Sequence, residues 1–195
     1  MPVRQRWLVF LFCMSCFDWL LLATLCSISL GHGVNEQLWL EVIHPNDVAF
    51  SYKIRTARNF GGVLGSTLRH VKLVATDPED ACGQTLYNSK IIRGQVALIK
   101  RGGCSFVTKC LNVELSGAVA AIITDNNPDD NMQWIEMVQD ETDRLVGIPS
   151  YFMLGKDGEM IIKSLKNHRV GSAIINLPVN YTHTSVIRQP PWDLW

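Results

Sequence analysis

The sequence predicts an α/β fold in a single domain, and three observations carry it. Apolar runs at Val96–Ile99 and Ala118–Thr124 flank a segment with helical spacing, so strand, helix and strand follow within about thirty residues. On either side, shorter segments alternate apolar and polar residues, the pattern of half-buried strands. The chain has 195 residues, of which 47% are apolar and 18% charged, which is globular composition with room for one ordinary domain.

The N-terminus reads as a leader outside the fold. Arg4 and Arg6 precede a long apolar stretch from Trp7 to Leu30, and small residues follow at Ser27, Ser29 and Gly31. A basic start, an apolar core and a small-residue site are the pattern of a secretory signal, so residues 1–31 are expected to be cleaved after Gly31. An uncleaved anchor is the alternative. Asp18 in mid-stretch argues against it, because a carboxylate at the bilayer centre costs on the order of 3 kcal/mol. Cys13, Cys16 and Cys26 leave with the signal, and Cys82, Cys104 and Cys110 stay. No second apolar run of spanning length follows, and the tail from Pro190 to Trp195 is not a retention signal. The expected destination is the secretory lumen or the outside of the cell, where disulfides are permitted.

From residue 32 onward the elements come in a legible order. Leu38–Ile43 and Val48–Ile54 read as strands joined by the turn Pro45-Asn46-Asp47. Gly61, Gly62 and Gly65 mark a loop, His70–Val74 a short strand and Asp77–Gly83 a polar connection. Val96–Ile99 is a buried strand ended by Lys100-Arg101-Gly102-Gly103. Ser105 then N-caps a helix whose inner face holds Phe106, Cys110 and Val113, and Gly117 suits its C-terminal cap. The strand Ala118–Thr124 completes a βαβ unit over residues 96–124, and a parallel pair with a right-handed crossover is expected there. Ile148–Leu154 is a further strand. Asp157–Asn167 is a helix whose last turn is basic, as the helix dipole favours. Ala173–Leu177 is a final strand ended by Pro178.

The search for chemistry returns little. Lys+Arg 18 balance Asp+Glu 18, so nothing marks a nucleic-acid partner. Nucleophile-elbow, phosphate-loop and H-E-x-x-H patterns are missing, and the five histidines are isolated in sequence. Asp125, Asn127, Asp129, Asn131 and Glu136 fall at positions 1, 3, 5, 7 and 12 of an EF-hand-like loop. Asp130 stands where the sharp turn calls for glycine, Pro128 stiffens the loop, and a strand precedes it, so a solvated turn is the better reading. Asp140-Glu141-Thr142-Asp143 reads as an exposed acidic loop. No catalytic, cofactor-binding or metal-binding residue is assigned.

Among Cys82, Cys104 and Cys110, three pairings and none are open. A bridge between Cys82 and Cys104 is favoured, because a thiol on the helix face is hard to reach from a distant loop. Such a bridge closes a loop of about twenty residues and contributes about 3 kcal/mol. Cys110 reads as a buried free thiol acting as a small apolar residue. Asn180-Tyr181-Thr182 is the one N-x-[ST] tripeptide, and Asn180 is expected to carry a glycan.

The stretch Ala97-Leu98-Ile99-Lys100-Arg101-Gly102-Gly103-Cys104-Ser105-Phe106, then Lys109, then Gly117–Ile123, resembles the core of the protease-associated (PA) domain. Ala81-Cys82-Gly83, Ile148-Pro149 and Leu154–Gly158 fit the same pattern, and the resemblance covers most of residues 40–178. It implies one PA domain over residues 32–178 with layered β/β/α architecture, a tail from 179 to 195, and a disulfide matching Cys82 and Cys104. Cys110 lies outside the family pattern. PA domains are accessory to proteases, sorting receptors and membrane-bound ubiquitin ligases, so the resemblance implies a secreted, non-catalytic module that binds a protein or peptide. The alternatives are a hydrolase with dispersed catalytic residues, for which Ser105 or Cys110 would be the residue labelled by activity probes, and a luminal regulator of secretory-pathway proteins. Candidate contact surfaces are the loop around Phe60-Gly61-Gly62, the loop Asp125–Asn131, and the tail residues Trp192 and Trp195. For the tail, folding back on the domain is favoured over partner contact.

Overall fold

The computed structural model describes residues 37–129, 132–181 and 187–194, all within one compact unit spanning Asn35–Trp195. The expected signal segment 1–31, and also Asp130, Asn131, Thr182 and Trp195, lie outside the described residues. The elements are β1 Gln37–His44, β2 Ser51–Thr56, β3 Leu68–Ala75, α1 Ser89–Ile92, β4 Val96–Lys100, α2 Phe106–Leu115, β5 Ala120–Thr124, β6 Ser150–Met153, α3 Gly155–His168 and β7 Ala173–Leu177.

The strands close into a barrel in the order β1-β2-β6-β5-β4-β3-β7. Strands β3 to β6 pair in parallel, and β1, β2 and β7 close the circuit by antiparallel pairing. Within the expected βαβ unit, Val96 pairs with Ala120 and Lys100 with Thr124, so β4 and β5 are parallel over their full length. Their continuous apolar runs follow from burial on both faces. Val96, Leu98, Ala120 and Ile122 point into the barrel, with Tyr52, Ile54 and Ile175. Ala97, Ile99, Ala121 and Ile123 point outward, onto Val107, Cys110 and Val113 of α2. Burying each of those valines stabilises the packing by about 1.5–3 kcal/mol.

Helix α2 begins and ends on sequence signals. The Ser105 side chain accepts the Thr108 N–H, capping the first turn. Gly117 adopts φ +85°, its N–H bonds to the Glu114 carbonyl, and the Ala118 N–H bonds to the Val113 carbonyl. This is a Schellman ending, which needs a left-handed residue at Gly117. The inner face differs from expectation in one residue, since Val107 is fully buried and Phe106 only partly. At the first helical position Phe106 leans toward the helix N-terminus, past the sheet that the following turns cover.

The strand expected from Val48 begins at Ser51. Asn46–Val48 instead form a 3₁₀ turn that drops Val48 into the barrel core, and the Tyr52 hydroxyl donates to the Val48 carbonyl at 2.8 Å. The alternation Val48, Phe50, Tyr52 imitates a strand because a tight turn also returns residues to one side. The short helix α1 was not anticipated; four residues carry too little periodicity to register.

The two ends of the barrel differ. Helix α3 starts at the end reached by the C-termini of β3 to β6 and sends Ile161, Ile162 and Leu165 into the interior core. Ser164 donates to Asp47 at 2.8 Å, and His168 pairs with the same carboxylate at 3.2 Å, tying α3 to the 3₁₀ turn. The opposite end, where β1 and β6 begin and β2 and β7 finish, is bordered by the loop after β2.

Candidate functional site

At the α3 end, the connection after β3 meets the corner after β4. Gly102 and Gly103 take φ +112° and +80°, which turns the chain sharply after Arg101. Cys104 then reaches Cys82, and the two are joined by a disulfide with Cα atoms 5.7 Å apart. The pairing expected from the sequence is the one present. A Cβ on Gly103 would stand 2.9 Å from the Cys82 sulfur and from the Asp80 carboxylate, so this approach requires glycine.

Lys109 holds the same corner from beneath. Its side chain is 0% exposed, and its ammonium donates to the Asp80 and Gly102 carbonyls, each at 2.5 Å, and to Cys82 Sγ at 3.3 Å. Three acceptors match the three N–H bonds of an ammonium. Burial pulls its pKa down, and attraction to Asp80 opposes that. Asn112, one turn later, donates to the Ala81 carbonyl at 2.8 Å. Helix α2 thus projects two polar side chains inward to fix residues 80–82, a role sequence reasoning missed because a lysine beside a cap reads as solvated.

The N-terminus of α2 anchors the acidic loop. Ser105 Oγ donates to Asp140, which also accepts from Thr142 at 2.6 Å and pairs with Arg144. Arg144 in turn donates to Thr108 Oγ1 at 3.0 Å. The hydrogen bond from Ser105, foremost, holds the Asp140 carboxyl down at about 2. Of the four residues read as an exposed acidic loop, Asp140 is therefore committed to the helix start, where the dipole favours an anion.

Of the EF-hand-like residues, the described Asp125, Asn127 and Glu136 have partners within the domain. Asp125 pairs with Arg101 at 3.3 Å and accepts the Asn127 N–H at 3.0 Å, while Asn127 Oδ1 accepts the Asp129 N–H at 3.2 Å. Glu136 pairs with Arg58 at 3.0 Å. Two successive side-chain-to-backbone turns account for the Asp/Asn spacing without a cation.

The loop Phe60-Gly61-Gly62 lies at the other end of the barrel, so the structure does not bring the two candidate loops together. Gly61 and Gly62 pack against Ile148 and Ser150 at the start of β6, whereas Asn127 packs against Gly155 just past its end. A Cβ on Gly62 would stand 1.9 Å from the Gly147 carbonyl oxygen. This loop overhangs an apolar groove of about 340 Å³ walled by Leu38, Val63, Leu64, Tyr151 and Pro178. Leu38 and Pro178 also border a second, more polar groove of about 880 Å³, with Trp39, Glu41, Arg69 and Asn176 on its walls. Lys53 lies 5.5 Å over the Trp39 ring, Tyr181 meets its edge at 5.7 Å, and Glu41 accepts from Asn176 at 2.8 Å. Asn180 is exposed on the rim of this second groove.

Trp192 folds back onto the domain. Its indole meets the Phe50 ring edge-on at 5.8 Å and donates to Asp157 at 2.8 Å. Cys110 is a buried free thiol, and burial pushes it up to about 12. Among the described residues, no group of three or more His, Cys, Asp or Glu side chains could hold a metal ion, and no helix is long and apolar enough to cross a membrane.

Comparison with known proteins gives a consistent result. Residues 70–161 match the family model described as the PA domain. The chain is 42% identical over 162 residues to the PRADC1-like protein of Drosophila melanogaster, covering 81% of this chain and 82% of that one. It is 30% identical over 101 residues to ER degradation-enhancing alpha-mannosidase-like protein 3 of Homo sapiens, covering 49% of this chain but 11% of that protein. Signal peptide peptidase-like 2 of Arabidopsis thaliana is 33% identical over 148 residues, 74% of this chain and 26% of its own length. Among solved structures, a zinc aminopeptidase from Bacillus subtilis aligns with a TM-score of 0.54 at 20% identity, over 73% of this chain and 29% of that one. An aminopeptidase from Aneurinibacillus sp. strain AM-1 aligns with a TM-score of 0.52 at 18% identity, over 73% and 30%. At such identities the likeness is one of fold alone.

Proposed function

The chain belongs to the protease-associated (PA) domain family, and from that premise we propose that it is a non-catalytic module that binds a protein or peptide segment in the groove beside the loop after β2. One observation carries this reading. An apolar groove and a polar groove adjoin at Leu38 and Pro178, the first beside the loop after β2 and the second along β1 and β7. Val63 stands at the edge of the apolar groove, 94% exposed. Leu38 of β1 and Tyr151 of β6 sit in paired strands and hold the groove wall in place, which lowers the ordering cost of binding. The balance of Lys+Arg 18 against Asp+Glu 18 favours a protein or peptide over nucleic acid.

Panning a displayed library of random linear peptides against the folded protein tests this. The expected result is enriched sequences whose binding is lost in Val63→Asp and Leu64→Asp, with folding unchanged for the exposed Val63. Failure to enrich, or binding indifferent to both substitutions, overturns it. Serine- and cysteine-directed activity probes should label nothing; labelling at Ser105 or Cys110 returns the hydrolase reading.

We further propose that the protein travels the secretory pathway and leaves the cell, with a glycan on Asn180. The basic-apolar-small pattern of residues 1–31, the disulfide, and the exposed Asn180 support it. Recovery from culture medium, with a glycosidase-sensitive mass that Asn180→Gln abolishes, is the test. We read the β/β/α layering that the family implies into the closed sheet, with α2 as the outer layer over β4 and β5.

A further inference from the structure

We propose that Cys82–Cys104 is a site of thiol–disulfide exchange with a low-molecular-weight thiol, in which Cys104 is attacked and Cys82 leaves. The asymmetry comes from Lys109. Its ammonium lies 3.3 Å from Cys82 Sγ, on the buried side of the corner. The ammonium donates to Cys82 Sγ and to two backbone carbonyls. A thiolate forming at Cys82 therefore faces, on its buried side, a cation held in place by two backbone carbonyls. The Asp80 carboxylate shares this corner: Oδ1 accepts the Cys82 N–H at 3.1 Å, while Oδ2 lies beside Gly103 and its charge attracts Lys109, offsetting part of the ammonium's pull. A sulfur whose thiolate is stabilised is the better leaving group, so attack on its partner is favoured.

Access and recovery are also built in. Both cysteines are half-buried, and Gly103, exposed and without a side chain, stands close beside Cys82 Sγ. When the bridge opens, the bonds from Lys109 to the Asp80 and Gly102 carbonyls and from Asn112 to the Ala81 carbonyl still hold both sides of the corner. The two sulfurs stay positioned to rejoin, and the corner does not depend on the bridge for its shape.

The step balances as follows. The thiolate of an incoming thiol forms a bond to Cys104 Sγ as the Cys82–Cys104 bond breaks, and Cys82 departs with the electron pair as a thiolate beside Lys109. A second molecule of the thiol attacks the mixed disulfide and releases Cys104. The protein disulfide is reduced by two electrons, and two thiol molecules become one disulfide.

Brief treatment of the folded protein with reduced glutathione, acid quenching, alkylation and peptide mass spectrometry reads the direction of opening. The expected adduct is glutathione on Cys104 with Cys82 alkylated. An adduct on Cys82, an even mixture, or no adduct overturns the proposal. Lys109→Gln should open roughly tenfold more slowly under the same thiol; an equal or faster rate also overturns it. Should that variant fail to fold, the adduct position in the unmodified protein decides alone.

Discussion

The Trp192 indole N–H donates to Asp157 Oδ1 at 2.8 Å, joining the end of the described chain to a carboxyl that is 1% exposed at the start of α3. Burial pushes that carboxyl up to about 7, against the pull of the indole donor, and Asp193 adds to the rise. The folded protein therefore holds a proton on Asp157 between the ordinary carboxylate pKa and about 7, and the unfolded chain does not. The state binding more protons gains as pH falls, so this group favours folding in acid and loses that contribution as pH rises through 7. Asp157→Asn, which keeps an oxygen facing Trp192, removes the dependence. Compared with the variant, the unmodified protein should lose on the order of 2 kcal/mol between pH 5 and pH 8. Urea unfolding at the two pH values checks this, and parallel curves for both proteins refute it.

Removing the indole tests the same contact from the other side. Trp192→Ala deletes the edge-on packing against Phe50 and leaves Asp157 without its donor. A half-buried tryptophan should cost about 2–3 kcal/mol on truncation. Deleting residues 190–195 should lower the melting temperature in the same direction, as expected for a tail that folds back. An unchanged thermal midpoint in both would mean that the tail contributes nothing to the domain.

Ser105 performs two tasks with one hydroxyl, accepting from the Thr108 N–H at 3.1 Å and donating to Asp140. Ser105→Ala should destabilise the fold by about 1 kcal/mol, the ordinary value of an N-cap. It should also raise the Asp140 pKa from about 2 toward the usual carboxylate range. Because the folded carboxyl is depressed, its stabilisation is present above the unfolded pKa and fades as pH drops toward 2. Carboxyl-detected NMR titration of both proteins separates the electrostatic effect from the loss of the cap.

These residues show what the sequence exposes and what it hides. The β4-α2-β5 unit was legible because each signal there is local: two apolar runs, a serine cap, and a glycine at φ +85° where the helix ends. The Cys82–Cys104 pairing was legible because Cys110 faces inward from its helix, out of reach of the loop that carries Cys82. Closure of the barrel was not legible, because β1 finds β7 across more than a hundred residues and no local pattern records that pairing. Lys109 was hidden by residue type. A charged side chain on a helix reads as solvated, and only the approach of the Asp80 and Gly102 carbonyls makes its burial tolerable. The groove was hidden similarly, for Trp39, Arg69 and Asn176 come from three strands far apart in sequence.

Gly158 offers a sharp test of how α3 closes its end of the barrel. A Cβ there would stand 2.0 Å from Thr124 Oγ1 and 2.4 Å from Thr124 Cβ, and Thr124 is itself buried with its hydroxyl donating to the Leu154 carbonyl at 3.0 Å. Helix propensity alone predicts that Gly158→Ala stabilises α3 by about 1 kcal/mol. Overpacking costs about 1–3 kcal/mol or more, and here neither partner can retreat, because Thr124 is the last residue of a strand paired on both sides. The clash should win, with a net loss of at least about 1 kcal/mol by urea unfolding. At the exposed Gly171, where a Cβ meets nothing within 4 Å, the same replacement should change stability by less than about 0.5 kcal/mol. Equal effects at the two glycines would show that α3 rides loosely over β5 rather than seated against Thr124.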